Sequence, residues 1–518
     1  MSLTFNRLDW ARVFWLATAV TVGILLTQLP LVWAVGLVGG TAVVLLTLIN
    51  PLFGLFVALL AAPLGALESV IWGPSLLDSG QLLLLFTLAV WLGQGLAYRR
   101  LNIPRTFLNV PLAILIFAAA LSLLNAPSLT FGLKELLKWL EIGAIMLMVV
   151  DLSVNQRMTD DRRRTTEYGL QNTYIILAML LLAGLSQALI GIWQFGLRAD
   201  GPEHFLILDR FYRAYGTFEQ PNPFAGYMNL TALLASGAFL GGVAYVWRKA
   251  SGKWQVASMQ VSPDTPAPPH LVILSLIGLT AVLTTTAVFF SWSRGAWLSF
   301  GVGATVLVLF WPKKLWQGVT LLAVGGFLLL GGIQAGVIPA SVTERISNFS
   351  QDLRFGDVRG ADINDVNYAV LERLAHWQAA LDMARDNVWL GVGFGNYETA
   401  YADYALINWP YPLGHAHNYY LNLLAEMGVL GLLVYGLLWT AVFFQTIRQL
   451  RYLDWPERGI ALGLLAAWTA VTIHHLVDKL YVNNIYIHLG VMFGLLQLLE
   501  SGISRGFTFL KGGTSSKR

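Results

Sequence analysis

Residues 269 to 310 read PHLVILSLIGLTAVLTTTAVFFSWSRGAWLSFGVGATVLVLF. A helix needs roughly 20 apolar residues to cross a bilayer, and this stretch holds two such runs parted only by Ser291-Trp-Ser-Arg294. Similar runs start near residues 13, 31, 51, 79, 107, 131, 171, 223, 269, 294, 316, 418, 458 and 483. The 518 residues are 56% hydrophobic and only 12% charged, whereas soluble domains carry about 25% charged residues. The pattern predicts an all-α, polytopic transmembrane protein with about 12 to 14 spans. Its weakest points are the pair of runs broken at Asn50-Pro51 and the run near 131, which carries Lys134, Glu135, Lys138 and Glu141. The first run follows Met1 to Arg12 without a small-residue cleavage site and reads as a retained span.

Lys and Arg gather in short loops at one end of these runs: Arg99, Arg100 and Arg105; Arg157 and Arg162 to Arg164; Arg248 and Lys249; Lys313 and Lys314; Arg448 and Arg451. Positive loops stay inside, so both termini are expected on the cytoplasmic side of a cytoplasmic membrane. The net charge of +4 then reflects topology, and nothing reads as nucleic-acid binding. The chain has no cysteine, which excludes disulfides and thiolate metal sites. Four regions follow: N-terminal spans over 1–168, core spans over 169–336, an outer loop over 337–417, and C-terminal spans with a short tail over 418–518. The outer segments 196–222 and 337–417 are the only long ones. In the second, Val370, Leu371, Leu374, Trp377, Leu381 and Ala384 recur at helical spacing and predict an amphipathic helix from Asp365 to Arg385. Gly391, Gly393 and Gly395 read as a turn, since a P-loop would need a preceding strand and a lysine. The Pro-rich stretch from Val261 to His270 reads as a flexible inner linker.

Three constellations put polar groups where a span meets the outer face: Arg213 to Tyr227, Ser291 to Trp297, and His415-Ala-His-Asn-Tyr-Tyr-Leu421. An arginine at membrane depth costs roughly 2.5 to 3.5 kcal/mol, so Arg294 must either snorkel to the headgroups or meet an anion. Ser291, Ser293 and Gly295 leave room for one to approach. Arg213 is equally explained by a solvated ion pair in a loop that also holds Asp200, Glu203 and Asp209. His415 and His417 suit proton transfer near neutral pH or a helix cap, and Asn418 either orients that segment or caps the helix. No HExxH or Asp-x-Asp pattern occurs, so no metal is expected. His474, His475 and Asp478 form a further outer cluster, readable as a neutral histidine hydrogen-bonded to Asp478. Arginine's planar fork matches phosphate oxygens, so two arginines beside a histidine suit a lipid-linked pyrophosphate.

On these residues, together with Leu371 to Tyr401 and HAHNYYLNLLAEMGVLG from His415 to Gly431, the chain resembles the O-antigen ligase superfamily, which includes O-antigen polymerase-like enzymes. The resemblance covers roughly residues 170 to 500. It implies a metal-independent, cofactor-free, inverting glycosyltransferase of cell-envelope polysaccharide synthesis. Such an enzyme moves a glycan from undecaprenyl diphosphate to a hydroxyl of a glycan, lipid or protein acceptor at the outer membrane face. By position, Arg213 and Arg294 would bind the pyrophosphate, and His417, or else His415, would be the base. Asn222, Arg373, Asn418 and Ser293 would be further binding residues. Ligase and polymerase remain open. The C-terminal region with His475 and Asp478 also resembles a subgroup associated with inorganic carbon uptake, which keeps a small-anion transporter as the alternative. A membrane scaffold whose outer loop binds a partner is the non-catalytic one.

Overall fold

The structure is a computed structural model that describes residues 27–73, 77–99, 103–155, 162–251, 268–337, 357–364 and 367–512, with isolated positions between 15 and 24 and between 339 and 343. The start of the first expected span, most of the Pro-rich linker, and Glu344, Asp352 and Asp365 of the outer loop lie outside the described residues. The chain is an all-α polytopic membrane protein. Its helices are α1 (Leu31–Ile49), α2 (Pro51–Ala61), α3 (Gly65–Trp72), α4 (Ser79–Ala97), α5 (Asn109–Ser122), α6 (Leu129–Asn155), α7 (Arg162–Gly196), α8 (Pro221–Ala250), α9 (Pro268–Phe290), α10 (Arg294–Phe310), α11 (Leu315–Gln334), α12 (Tyr368–Asp386), α13 (Tyr397–Ala400), α14 (Tyr419–Gln449), α15 (Glu457–His474) and α16 (Ile485–Gly512). Among the described residues, eight helical stretches are long and apolar enough to cross a membrane, and 109–125, 294–310 and 485–500 are shorter apolar helices. The Pro-rich linker ends earlier than its composition suggests: Pro268 already begins α9, as proline is tolerated in a first helical turn.

Burial sorts the helices into layers. Almost every residue of α15 and of α16 up to Leu499 is buried, whereas α1 and α11 turn Val32, Trp33, Phe327 and Leu328 outward, as lipid-facing helices do. In lipid, helices associate by close packing rather than by the hydrophobic effect, and small residues let backbones approach. Gly237 and Gly241 of α8 face Gly459 and Gly463 of α15; a Cβ on Gly237 would stand 2.4 Å from the Gly463 Cα. The weak run at 131 is α6, and its charges explain its weakness. Glu135, Glu141 and Asp151 are buried. Glu135 pairs with Lys138 at 2.7 Å and with Lys479 at 3.0 Å, while Asp151 accepts from the Trp91 indole at 2.8 Å.

The expected outer-loop helix is α12, from Tyr368 to Asp386. The glycines after it do more than turn the chain. Helix α14 breaks at Gly428 (φ 64, ψ −164), and the segment from Val388 to Gly393 enters the break. Val392 N donates to Ala425 O and Gly393 N to Glu426 O, while Val429 N donates to Val388 O and Leu430 N to Trp389 O, at 2.8 to 3.4 Å. A broken helix within a membrane domain needs protein partners for its freed backbone groups, and this glycine-rich strap supplies them. Gly391 and Gly428 are both obligatory. Each has positive φ, and a Cβ on either would lie 2.3 to 2.4 Å from backbone atoms of the other segment.

Candidate functional site

Arg213 follows a two-stranded hairpin in which Leu206 pairs with Tyr212 and Ile207 with Phe211. Phe195 stacks between Phe211 and Phe290, fixing the hairpin against α7 and α9. The Gln194 carboxamide holds the next residues, accepting from Tyr215 N and Gly216 N and donating to Gly216 O. So braced, the Arg213 Nε donates to Ser291 O at 2.9 Å, and its Nη2 reaches Asn222 Oδ1 at 3.5 Å. The first two constellations are therefore clasped together. Arg213 here binds backbone of the Ser291 turn, a partner that the ion-pair reading of its loop did not contain.

The turn at 291–294 is tighter than its small residues suggest. Trp292 has φ 54. Ser291 and Ser293 are buried; the Ser291 hydroxyl accepts from Ser293 N, and the Ser293 hydroxyl caps α10 by accepting from Ala296 N. Gly295 faces Val477, whose Cγ2 would be 2.6 Å from an added Cβ. Val477 thus closes the space beside Gly295. Arg294 occupies the first position of α10 and is half-buried.

The third constellation ends the long loop before α14. Asn418 caps α14, its Oδ1 accepting from Tyr420 N and Leu421 N at 3.0 and 3.1 Å. Just before it, His417 holds left-handed backbone at φ 51, a conformation unusual for a non-glycine residue that concentrates at functional sites. His417 N donates to His415 Nδ1 at 3.0 Å. This fixes the His415 proton on Nε2, which faces Asp478 Oδ1 at 3.6 Å. The His417 ring lies edge-on to His415 and His376, with centroids 4.5 and 5.7 Å apart. Both its ring nitrogens are buried and lack a hydrogen-bond partner among the described residues. Burial pushes both histidines down to about 3, assisted by His415 for His417 and by Lys479 for His415; Arg373 and His376 add to both. The expected titration near neutrality is therefore corrected: at pH 7 these imidazoles are neutral and weakly basic, because a proton would be buried among cations.

Arg373 comes from α12 with its Nε buried and unpartnered among the described residues. One turn on, buried His376 shares a 2.9 Å hydrogen bond with the Tyr397 hydroxyl, and burial lowers it to about 4. The expected side-chain bond from Asp478 to His474 or His475 is not formed among the described residues: the carboxylate faces His415 and accepts from Lys479 N at 2.8 Å, while the Asp478 backbone N–H donates to His474 O at 3.0 Å. His474 instead meets Ser299 at 3.4 Å, and His475 meets Tyr435 at 3.2 Å.

The structure thus forms two groups, Arg213 with Asn222 and the Ser291 turn, and Arg373 with His376, His415 and His417. The 475–478 turn joins them, Val477 touching Gly295 and Asp478 facing His415. Sequence reasoning missed His376 and the contact between Asp478 and His415. His376 lay three residues from Arg373 on one helical face, whereas Asp478 meets His415 only through the fold. Ligand atoms of His415, His417 and Asp478 lie within 4.8 Å of one another, enough to consider a cation. The positive charges of Lys479 and Arg373 act against one and in favour of an anion.

A search of curated proteins finds no match for the chain. A family model described as O-antigen ligase matches residues 279–436, from α9 through the Ser291 turn, the long loop and both histidines into α14. The chain therefore carries an O-antigen ligase family domain at residues 279–436 and is an O-antigen ligase-like, multi-pass membrane protein, an enzyme of glycosyltransferase type in the broad sense.

Proposed function

We propose that this protein transfers a glycan from a polyprenyl diphosphate, such as undecaprenyl diphosphate, to an acceptor hydroxyl at the outer face of the cytoplasmic membrane. Arg213 and Arg294 bind the diphosphate, with Asn222 orienting Arg213. The acceptor hydroxyl gives its proton to a nitrogen of His417. Its oxygen attacks the anomeric carbon from the face opposite the phosphate, the C1–O bond to phosphate breaks, and the polyprenyl diphosphate leaves with the electron pair. Arg373 meets negative charge near the histidines, and Asp478 acts through His415 to fix the backbone that presents His417. Ser293 and Asn418 serve as helix caps that hold Arg294 and His417 in place.

The observation that carries this reading is the imidazole of His417, whose two ring nitrogens are buried and without a hydrogen-bond partner among the described residues, set beside Arg373. A bound diphosphate brings negative charge that raises its affinity for a proton, so the base strengthens when the donor arrives. General bases contribute about 10²- to 10⁴-fold. With purified full-length protein and a polyprenyl-diphosphate glycan, His417→Ala and Arg294→Ala should each lower transfer by at least about 100-fold while folding and insertion are retained. Unchanged transfer in both variants would remove the proposal.

A further inference from the structure

Near the loop that carries Arg213 lies a cavity of about 310 Å³ lined by Ser69, Asp78, Gln81, Lys138, Glu219, Asn483, Asn484 and Tyr486. Its lining falls outside the matched family region. The cavity is polar and built. Asp78 makes a capping box with Gln81 and accepts from Asn484 Nδ2 at 2.7 Å. Gly65 leaves space for that carboxylate, since a Cβ there would lie 2.5 Å from Asp78 Oδ2. Gln81 Nε2 donates to the Tyr486 hydroxyl at 3.2 Å. Glu219, Asn483 and Asn484 all hold left-handed backbone, at φ 60, 47 and 59. Asparagine adopts this conformation readily, so Glu219 is the unusual one of the three, in a backbone state that concentrates at functional sites.

We propose that this cavity seats a saccharide ring. It offers both acceptors and donors. Glu219 projects a carboxylate whose contact to Ser69, at 3.4 Å, is long. Asn483 uses its amide on Phe218 O and keeps its carbonyl for a donor. Lys138 has three N–H groups and uses two, on Glu135 Oε2 and Tyr481 O. The carboxylates of Asp78 and Glu219 discourage a phosphate, since Lys138 is already paired with Glu135, and the polar wall discourages an acyl chain. Neighbouring hydroxyls of a sugar, each both donor and acceptor, match this set. The volume suits a small ligand, near the lower end of the roughly 300 to 1,000 Å³ of such sites.

The cavity is coupled to the first site by shared chain. Glu219 belongs to the loop that carries Arg213, Asn483 to the turn that carries Asp478, and the Asn483–Phe218 bond of 3.0 Å ties loop to turn. Given the proposed transfer, the ring belongs either to the donor glycan or to the acceptor.

The test uses the full chain in detergent and saturation-transfer NMR with methyl glycosides of glucose, galactose, mannose and N-acetylglucosamine. At least one should bind. Glu219→Gln, which preserves shape, should weaken it by about tenfold or more, the loss of one charge-assisted hydrogen bond; Ser69→Phe, which fills the cavity, should abolish it. Binding by none of the four, or binding unaffected in both variants when their thermal unfolding matches wild type, overturns the proposal. In transfer assays the same variants should raise the KM of the donor alone if the ring is the donor's, or of the acceptor alone if it is the acceptor's. His417→Ala separates the two readings. Glycoside binding that survives in it supports the cavity independently of catalysis, and glycoside binding by a wild-type protein that transfers nothing removes only the proposed reaction.

Discussion

Gly428→Ala should open the strap that crosses helix α14. The dihedrals at Gly428, φ 64 and ψ −164, fall where essentially only glycine is found, at a cost of about 1–3 kcal/mol for another residue. The added Cβ would also stand 2.4 Å from the Trp389 carbonyl carbon and 2.5 Å from its oxygen. Because those are backbone atoms, relief requires moving a chain segment, an overpacking cost of about 1–3 kcal/mol more. The sum, about 2–6 kcal/mol, is comparable to the four interstrand backbone hydrogen bonds at the seam, worth about 0.5–1.5 kcal/mol each. The substitution should therefore separate the seam rather than unfold the domain. Hydrogen exchange read by mass spectrometry reports this directly: peptides covering 386–396 and 424–432 should lose protection by about 30-fold or more, since each 1.4 kcal/mol is tenfold. Gly436→Ala in the same helix is the control. Its Cβ meets nothing within 4 Å, so helix propensity should make it neutral or slightly stabilising. Equal protection in Gly428→Ala and wild type would refute the strap as an obligatory glycine fit.

Acidification should destabilise the outer loop through the histidines. Folding lowers His415 and His417 to about 3 from an ordinary 6.5, so between those values the unfolded chain binds more protons. Stability is intact above pH 6.5 and falls toward pH 3, by up to about 1.4 kcal/mol per pH unit for each group. Thermal unfolding against pH should show this slope, reduced in His417→Gln; an identical slope in the variant would count against the assignment. Asp478→Asn removes the one carboxylate whose charge favours protonated His417, so the acid limb of the transfer rate should move to lower pH and kcat should fall by about tenfold. A profile unmoved from wild type would make Asp478 merely structural. Treatment with EDTA should leave transfer unchanged, because the nearby cations oppose a divalent ion at His415, His417 and Asp478. Loss of activity restored by one metal alone would reverse that reading.

What could be read along the chain, and what could not, follows from the range of the forces involved. Lipid imposes length and apolarity locally, so the helices begin near the expected positions, and α12 is visible in its own spacing. The charged run that became α6 looked doubtful because Lys479, which neutralises Glu135 at 3.0 Å, lies at the far end of the sequence. Arg213, Arg294, His415 and His417 stand out as polar groups at span ends, whereas Arg373 is reached only through the resemblance, and Arg213 proves to be clasped to the Ser291 turn. Asp478 was assigned to its neighbours because local reasoning has no means of anticipating a contact across the fold. The glycines of 391–395 were taken for a turn for the same reason: a positive φ is readable in a glycine, but the helix break that it fills is not. Gly428 did carry a local signal, as an isolated glycine within a helical pattern is a known breaker. Together, these glycines make the long loop and α14 one mechanical unit, so the position of His417 depends on a seam whose two sides are set by Gly391 and Gly428. A substitution at either should impair transfer without touching any group that meets substrate.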